Sequence, residues 1–343
     1  MIPFLKALLV AVPAGALFSA VKAPLPWTIG PLLACAAVNV AGGSLATPVP
    51  MRLFGLWMLG TVLGLYFSPA VVERVAACWP WILLGVVWSM ILGLGFSWTL
   101  RRFAKVSRPT AFFGGAIGGA SEMAMQGERA GGRVDLIAAA HSMRIVLVVL
   151  TLPSIYRLIG LHGTDDYQQP MQTVDLPGLL LLAALTVAAA LLAHRLKLPN
   201  AFMLGPMTVA LLLTASGHSL SAMPSWLIIA GQVTIGASLG CRFSPGFFSG
   251  APRLMAVVAM STLVGIGLSA LFALLIAEPA GISLATMVLA TSPGGIAEMA
   301  LIAKTLQLGV PVVTAFHITR MASTVLLLGG VYRLLGHLRG WND

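Results

Sequence analysis

The sequence predicts an all-α integral membrane protein built from two inverted repeats. Each repeat would hold about five transmembrane helices and one broken or re-entrant, glycine-rich helical element. Three observations predict this fold class: the composition, an internal duplication and an uneven distribution of basic loops. Of the 343 residues, 58% are hydrophobic and only 9% are charged. Soluble globular domains carry about 25% charged residues, so the composition excludes an ordinary soluble protein.

The duplication is visible in the segment Gly118–Ala124, which recurs 176 positions later as Gly294–Ala300. Without a gap, residues 115–160 align on residues 291–336 with 16 identities in 46 positions. Chance readily repeats Leu, Ala or Gly in an apolar chain, but it seldom repeats ionisable residues in register. The ionisable residues that repeat are Glu122 and Glu298, His141 and His317, and Arg144 and Arg320. The chain is therefore a duplication with one polar constellation in each half.

Each repeat contains six apolar segments, which predict helices. We place the first repeat at 1–162, a polar linker at 163–175 and the second repeat at 176–343. The linker is the longest stretch in which polar residues interrupt the apolar pattern. The segments lie near 4–21, 27–41, 52–67, 80–100, 109–126 and 134–160 in the first repeat, and near 177–195, 201–216, 225–241, 254–277, 283–304 and 311–335 in the second.

Loop charges predict how the repeats are oriented. The loop between the fourth and fifth segments of the first repeat is basic, whereas the equivalent loop around Glu278 has no basic residue. Basic loops stay in the cytoplasm, so the two repeats are expected to be inverted. Inversion requires an odd number of crossings, and the glycine-rich fifth segment is the candidate that does not cross fully. The basic residues are Arg101, Arg102, Lys105 and Arg108.

Other residue types narrow the chemistry. The net charge of +10 fits basic residues at helix ends better than a nucleic-acid surface. Cys35, Cys78 and Cys241 show no paired spacing, which predicts neither a disulfide framework nor a metal cluster. No histidine clusters with Cys or carboxylates, and no nucleotide-binding loop is present in the sequence. We therefore expect no metal, no cofactor and no enzymatic activity.

The fifth segments carry helix-breaking residues, at 114–119 and 291–295. Glycine costs about 1 kcal/mol and proline about 3 kcal/mol in a helix interior. Unwound backbone within a membrane is tolerated only where protein or a water-filled cavity satisfies its polar groups. A helix that restarts after such a break presents free amides and a positive dipole end. This pattern predicts a binding site, and the alternative is that the glycines only permit close helix packing.

Glu122 and Glu298 stand directly after these breaks. A carboxylate in the membrane costs several kcal/mol unless it is protonated, paired or hydrated. The functional interpretation is a group that binds protons or couples their movement to a solute. The alternative is a neutral glutamic acid that forms a hydrogen bond between helices.

The sixth segments place His141 three residues before Arg144, and His317 three residues before Arg320. That spacing puts each pair on one helix face. The histidines would relay protons or donate to the solute, and the arginines would balance the charge of a carboxylate or of the glutamates. The alternative is a fixed Arg–Glu pair that stiffens each half, because buried charges need partners. A second arginine pair near the helix ends is interpreted as interfacial anchors: Arg157 and Arg333.

Ten residues are the candidates for binding the solute and protons. The set comprises Gly118, Gly119, Glu122, His141 and Arg144 in the first repeat, and Gly294, Gly295, Glu298, His317 and Arg320 in the second.

The Gly-Gly-x-x-Glu-Met motif occurs twice, each time followed by His-x-x-Arg and an apolar helix that ends in Tyr-Arg-Leu. This pattern resembles the AbrB-type family of bacterial membrane proteins, which is itself recognised by an internal duplication. The family is also distantly similar to the cation/proton antiporter and anion transporter superfamily, whose folds use inverted repeats with broken helices. The resemblance implies a multi-pass protein of the bacterial inner membrane. The name shared with a small soluble DNA-binding regulator is not carried over.

Labels within that family refer to ammonia monooxygenase and to regulation of gene expression, so three functions stay open. The residues favour a secondary transporter of a small polar or anionic solute, with or without proton coupling. A membrane-embedded sensor or regulator that acts through a partner is the alternative, and a membrane-bound monooxygenase ranks third. The expected partners are the solute and the lipid bilayer, with a homodimer as an option and no direct contact with nucleic acid.

Overall fold

A computed structural model describes residues 2–161, 163, 169–170, 173–247 and 250–338. Over these residues the chain forms helices and no strands. The helices are α1 (Ile2–Ala20), α2 (Pro26–Val40), α3 (Val49–Gly64), α4 (Pro69–Ala77), α5 (Trp79–Thr99), α6 (Arg108–Gly115), α7 (Ala120–Arg129), α8 (Val134–Leu158), α9 (Leu176–Arg195), α10 (Ala201–Ala215), α11 (Ser225–Gly240), α12 (Pro252–Ile276), α13 (Leu284–Thr291), α14 (Ile296–Thr305) and α15 (Val310–Leu338). A π-helical turn, Leu100–Ala104, extends α5. His162 and most of the predicted linker lie outside the described residues.

The duplication extends to the helix boundaries. The offset that relates the two sequence motifs also relates both ends of α6 to the corresponding ends of α13, and both ends of α7 to those of α14. Helices α8 and α15 begin at equivalent positions as well. The fifth apolar segment of each half is therefore divided into two short helices, as the glycine-rich breaks predict. The inverted orientation of the halves stays a prediction.

Five helices are long and apolar enough to cross a membrane, which makes the described chain a multi-pass membrane protein. Helices α3 and α4 pass the same test together but are bent by 90° at their junction. Four apolar helices are shorter, so five crossings in each repeat remain a prediction. The long spans are 79–104, 134–158, 176–195, 252–276 and 310–334.

Helix α4 is an element that the apolar pattern did not predict. It has only nine residues and carries Glu73 and Arg74, so it is too short and too polar for a membrane segment. Pro69 stands at its start, where the missing N–H of proline costs nothing. The signal that was available is the Ser-Pro helix start after α3, which apolar periodicity does not detect.

Packing divides the chain into two compact units. The first unit comprises Met1–Ala77, Val149–Phe247 and Ala300–Pro311, and the second comprises the remaining segments, Cys78–Val148, Phe248–Met299 and Val312–Asp343. Each unit draws on both halves of the sequence. The two packing units therefore do not coincide with the two sequence repeats, and the predicted repeat boundaries stay a prediction.

In the first unit, α3 packs on α10, and α11 packs on α2 and α3. Glycines permit these close contacts, because a Cβ at Gly60 would overlap the backbone of Met203, and one at Gly236 would overlap that of Thr28. Small and apolar side chains form one packed cluster in this unit: Ala7, Ala11, Cys35, Leu45, Met51, Val233 and Ala237.

In the second unit, α5 packs on α6 and α12, and α12 packs on α13. An aromatic group formed by Phe112, Phe113 and Tyr332 joins α6 to α15, with ring centroids 5.1 to 5.3 Å apart. This unit contains all ten predicted site residues, from both halves of the sequence.

Candidate functional site

Each of the two breaks is a short extended link between helices. In the first, α6 ends at Gly115, and Ala116 has φ −54° and ψ 143°. The link ends at Gly119, which has φ −65° and ψ 129° and precedes α7. In the second break Ser292 has φ −68° and ψ 152° after the end of α13. We call residues 116–119 the first break and residues 292–295 the second break.

Arg144, on α8, binds the end of α6. Its side chain is buried, its Nη1 donates to the carbonyl of Ala116 at 2.7 Å, and its Nη2 donates to the carbonyl of Gly114 at 2.7 Å. A longer contact of 3.3 Å joins Nη2 to the carbonyl of Gly115. The last carbonyls of a helix have no partner within the helix, and a cation is favourable at that negative end. The ring of Phe96 lies 5.1 Å from the guanidinium carbon.

Arg320, on α15, repeats this arrangement at the end of α13. Its buried Nη1 donates to the carbonyl of Ser292 at 2.8 Å, and its Nη2 donates to that of Gly294. Ser292 is the equivalent of Ala116 in the duplication, so the Nη1 atoms of the two arginines bind equivalent carbonyls. The Nη2 partners differ, because Arg144 binds back into α6 at Gly114 and Arg320 binds forward into the second break at Gly294.

The two histidines bind the same helices one turn earlier. His141 Nε2 lies 2.9 Å from the carbonyl of Phe113, and His317 Nε2 lies 3.0 Å from the carbonyl of Leu289. A carbonyl only accepts, so the proton of each ring is on Nε2. Both rings are buried. Histidine and arginine of each pair thus reach one helix end from one face, as their spacing predicts.

The glutamates occupy the start of the helix that follows each break. Glu122 is the third residue of α7, and its carboxylate folds back over Gly119, where a Cβ would overlap it. Glu298 takes the same position over Gly295 at the start of α14. A glutamate at the third position is favourable because it faces the free amides and the positive dipole end. Each site thus holds its own carboxylate at the positive end.

The predicted Arg–Glu pair takes a different form. Among the described residues, the hydrogen bonds of Arg144 and Arg320 go to backbone carbonyls and not to Glu122 or Glu298. The arginines balance the negative end of the first short helix, and the glutamates balance the positive end of the second. At each break, an arginine thus lies at the negative end of one short helix and a glutamate at the positive end of the next.

Both arginines lie in the second unit. Within the described residues, the Nε atoms of both are buried and have no hydrogen-bond partner, and neither has Nδ1 of His317. The two Nε–H groups are unsatisfied buried donors, which call for an explanation, and an anion or a water that accepts from them is one. Two guanidinium donors therefore remain available at the buried arginines.

Helix α15 also contacts the first break directly. Thr324 Oγ1 lies 3.4 Å from the carbonyl of Ile117, and Gln126 Nε2 on α7 donates to the carbonyl of Val325 at 3.2 Å. A Cβ at Gly118 would lie 2.8 Å from the methyl group of Thr324. Glycine at this position therefore allows the second half of the chain to approach the break of the first half.

The sequence did not identify the polar contacts between α12 and the end of α13. Ser269 Oγ donates to the carbonyl of Thr291 at 3.1 Å, and Thr291 Oγ1 lies 3.3 Å from the carbonyl of Ser269. Trp88 Nε1 on α5 donates to Ser269 Oγ at 3.3 Å. A lone serine in an apolar helix often bonds its own backbone, so the sequence carries little signal for this contact.

Two other predictions can be placed in the structure. Arg157 and Arg333 are exposed near the ends of α8 and α15, and their role as interfacial anchors stays a prediction. Over the described part of the chain, no group of three or more His, Cys, Asp and Glu side chains could hold a metal ion.

Comparison with known proteins gives one family and two relatives. Residues 27–336 match the family described as "Transition state regulatory protein AbrB". A Bacillus subtilis (strain 168) protein named "Uncharacterized protein YhjN" is 30% identical, over 92% of this chain and 88% of the relative. An Escherichia coli (strain K12) protein named "Putative regulator AbrB" is 24% identical, over 93% of this chain and 92% of the relative.

Proposed function

This chain belongs to the AbrB family, and within that family we propose that it is a secondary transporter of a small anionic solute in the bacterial inner membrane. The two breaks in the second unit would form the solute site. The proposal assigns no enzymatic activity and no direct contact with nucleic acid. Its partners would be the solute, the lipid bilayer and, as an option, a second copy of the chain.

The observation that carries the proposal is the duplicated set of buried charges at two interrupted helices. A continuous helix satisfies its own backbone and needs no arginine. In this chain the breaks leave backbone carbonyls without a partner in the helix, and the buried side chains of Arg144 and Arg320 bind them. Burying an ion costs several kcal/mol even after relaxation. An arrangement with this cost, present twice, supports a role beyond helix packing.

The charges around the breaks support an anionic solute. Arg144 and Arg320 are both buried in one unit, and each keeps an Nε donor without a partner among the described residues. The helices α7 and α14 direct free amides and positive dipole ends towards the breaks. Guanidinium groups form strong, charge-assisted hydrogen bonds with carboxylates, which helix starts also favour. Small organic acids are therefore the first solutes to test.

The position of the glutamates supports proton coupling. Glu122 and Glu298 occupy the same amide-rich ends that an anionic solute would use. An ionised glutamate would compete with the solute, whereas a protonated one would leave the helix start free of charge. A proton and an anion would then enter the site together, and the preferred reaction is symport of a solute anion with protons.

A regulatory function is the second candidate, because the name of one relative and the family description refer to regulation. In that case the chain would act as a membrane-embedded sensor through a partner protein. A transporter that changes the level of a solute would also affect gene expression indirectly. Transport by the purified protein alone distinguishes the two.

The experiment is reconstitution of the purified protein in liposomes that contain a pH-sensitive dye. Amino acids, organic acids and ammonium are added outside in turn. We expect acidification of the interior with one or more organic acids and none with ammonium. Protein-free liposomes and the exposed variant Arg157→Gln are the controls. A monodisperse, reconstituted protein that moves neither protons nor labelled solute in the whole panel would contradict the proposal.

A further inference from the structure

Two of the three cysteines meet in the first unit, away from the breaks. Cys35 is buried in α2, and Cys241, directly after α11, is half-buried. Both belong to one packed cluster, in which the Cys35 thiol donates to the carbonyl of Ala7 at 3.9 Å. Nothing in their sequence positions predicts this contact, because the two cysteines lie in different halves of the chain.

The backbone around the two thiols is held closely on both sides. Asn39, one turn after Cys35, donates through Nδ2 to the carbonyl of Cys241 at 3.3 Å. It also donates to the carbonyl of Leu45 at 3.0 Å and accepts from the Leu45 amide at 2.7 Å. A Cβ at Gly240 would lie only 2.9 Å from Cβ of Cys35. The residue that precedes Cys241 thus packs directly against Cys35. A disulfide requires the two Cβ atoms to lie about 4 Å apart, so only a small adjustment of this close contact is needed.

The other half of the chain shows that the fold does not require sulfur at this contact. In the duplication, Leu65 is the equivalent of Cys241, and Ala210 is the equivalent of Cys35, because α2 and α10 are related by an offset of 175 at both ends. Gly64 approaches α10 as Gly240 approaches α2, because a Cβ at Gly64 would lie 2.6 Å from Cβ of Ala210. Leu65 and Ala210 belong to one packed cluster, so the same contact between helices is built once with a leucine and an alanine and once with two cysteines.

We propose that Cys35 and Cys241 are a reversible redox pair, which a peroxide converts to a disulfide between α2 and α11. The more exposed Cys241 would attack the peroxide first, which breaks the O–O bond, releases one water and leaves a sulfenic acid. The Cys35 sulfur would then attack the sulfenic sulfur and release a second water. Two thiols and one hydrogen peroxide give one disulfide and two waters, and a thiol reductant restores both thiols.

Cys78 provides an internal control for this proposal. It stands between α4 and α5, belongs to the second unit and has no cysteine neighbour among the described residues. Under peroxide it should stay a thiol or form a sulfenic acid that a reductant reverses. Only the pair can protect itself from further oxidation by closing the disulfide.

The test is thiol counting in the full chain, purified in detergent. The protein is treated with hydrogen peroxide, the peroxide is removed, and the denatured chain is labelled with a maleimide. In the Cys78→Ser variant we expect two labelled thiols before treatment, none after it and two again after reduction. Mass spectrometry should show one cross-linked peptide pair containing Cys35 and Cys241.

Single variants show whether the disulfide is specific. With Cys78→Ser as background, Cys35→Ser and Cys241→Ser should each abolish the cross-linked peptide and leave one thiol that alkylates after reduction. The proposal would be overturned if both thiols stay labelled at a peroxide dose that oxidises a reference dithiol. It would also be overturned if Cys241 reaches the sulfinic acid while Cys35 stays a thiol.

Discussion

The two breaks are each contacted by an equivalent histidine, arginine and glutamate but differ in how open they are. At the first, Gly118, Gly119 and Ala120 are half-buried and Ser121 is exposed. At the second, the equivalents of Gly118, Ala120 and Ser121 are all buried: Gly294, Ile296 and Ala297. The duplication has kept the histidine contact, the position of the glutamate and one arginine–carbonyl bond, while the other arginine bonds and the surrounding packing changed. We infer that these contacts define the site, and that the first break is the more accessible side of it.

The neighbouring helices explain part of this difference. On the first side, α5 approaches Gly115 with its backbone, since a Cβ there would lie 2.7 Å from Cα of Ser97. On the second side, the equivalent residue is Thr291, and its side chain forms hydrogen bonds with Ser269 on α12. One break is held by direct backbone contact, and the other by side-chain bonds. The comparison can be tested at each of these levels.

The largest expected difference is topological. If the halves are inverted, the loop that precedes each broken segment lies on a different face of the membrane. Single cysteines at Lys105 and Pro279, both exposed, are introduced into a chain in which Cys35, Cys78 and Cys241 are serine. A membrane-impermeant maleimide should label them from opposite sides. Labelling of both from one side would rule out the inverted repeat.

The arginines should give the next largest effect, on stability. Arg144→Ala leaves the buried carbonyls of Gly114 and Ala116 without their donors, and we expect the free energy of unfolding to fall by roughly 3–5 kcal/mol. Arg320→Ala should cost less, because Arg320 binds one carbonyl fewer. The exposed Arg157→Ala should change it by about 0.5 kcal/mol at most. Denaturant unfolding in detergent measures all three, and equal values would refute the assigned role.

A smaller effect is expected from the close approach of α5. Gly115→Ala would press a methyl group against the Ser97 backbone and should cost about 1–3 kcal/mol. Gly114→Ala is the matched control, because its nearest neighbours would be 3.7 Å and 3.8 Å away, at Leu100 and Ala140. The equivalent of Gly114 in the other half is already alanine, at position 290. Denaturant unfolding in detergent measures the stability of both variants. Equal stability would show that α5 can move away from the added methyl group.

The sequence predicted the broken helices and the shared face of each His–Arg pair, because both follow from local spacing. Gly and Pro interrupt the helix in which they lie, and a three-residue interval places two side chains on one face of the same helix. It did not predict that Arg144 and Arg320 bind carbonyls, since which helix faces them depends on packing between distant segments. The contact between Cys35 and Cys241 was not predicted for the same reason. Helix α4 was not predicted because apolar periodicity detects membrane segments and not short polar helices.

The central claim is that the two glutamates couple protons to an anionic solute at the two breaks. The most direct test is proton-linked uptake in liposomes by the double variant Glu122→Gln and Glu298→Gln, with each single variant and Arg157→Gln beside it. Glutamine keeps the shape but cannot ionise. We expect uptake to fall by about tenfold or more, equivalent to ~1.4 kcal/mol, and the remaining uptake to lose its pH dependence. The Glu122→Gln variant should be the more impaired of the two single variants, because the first break is more open. Wild-type uptake with an unchanged pH profile in the double variant would show that the carboxylates are structural, and would contradict the claim.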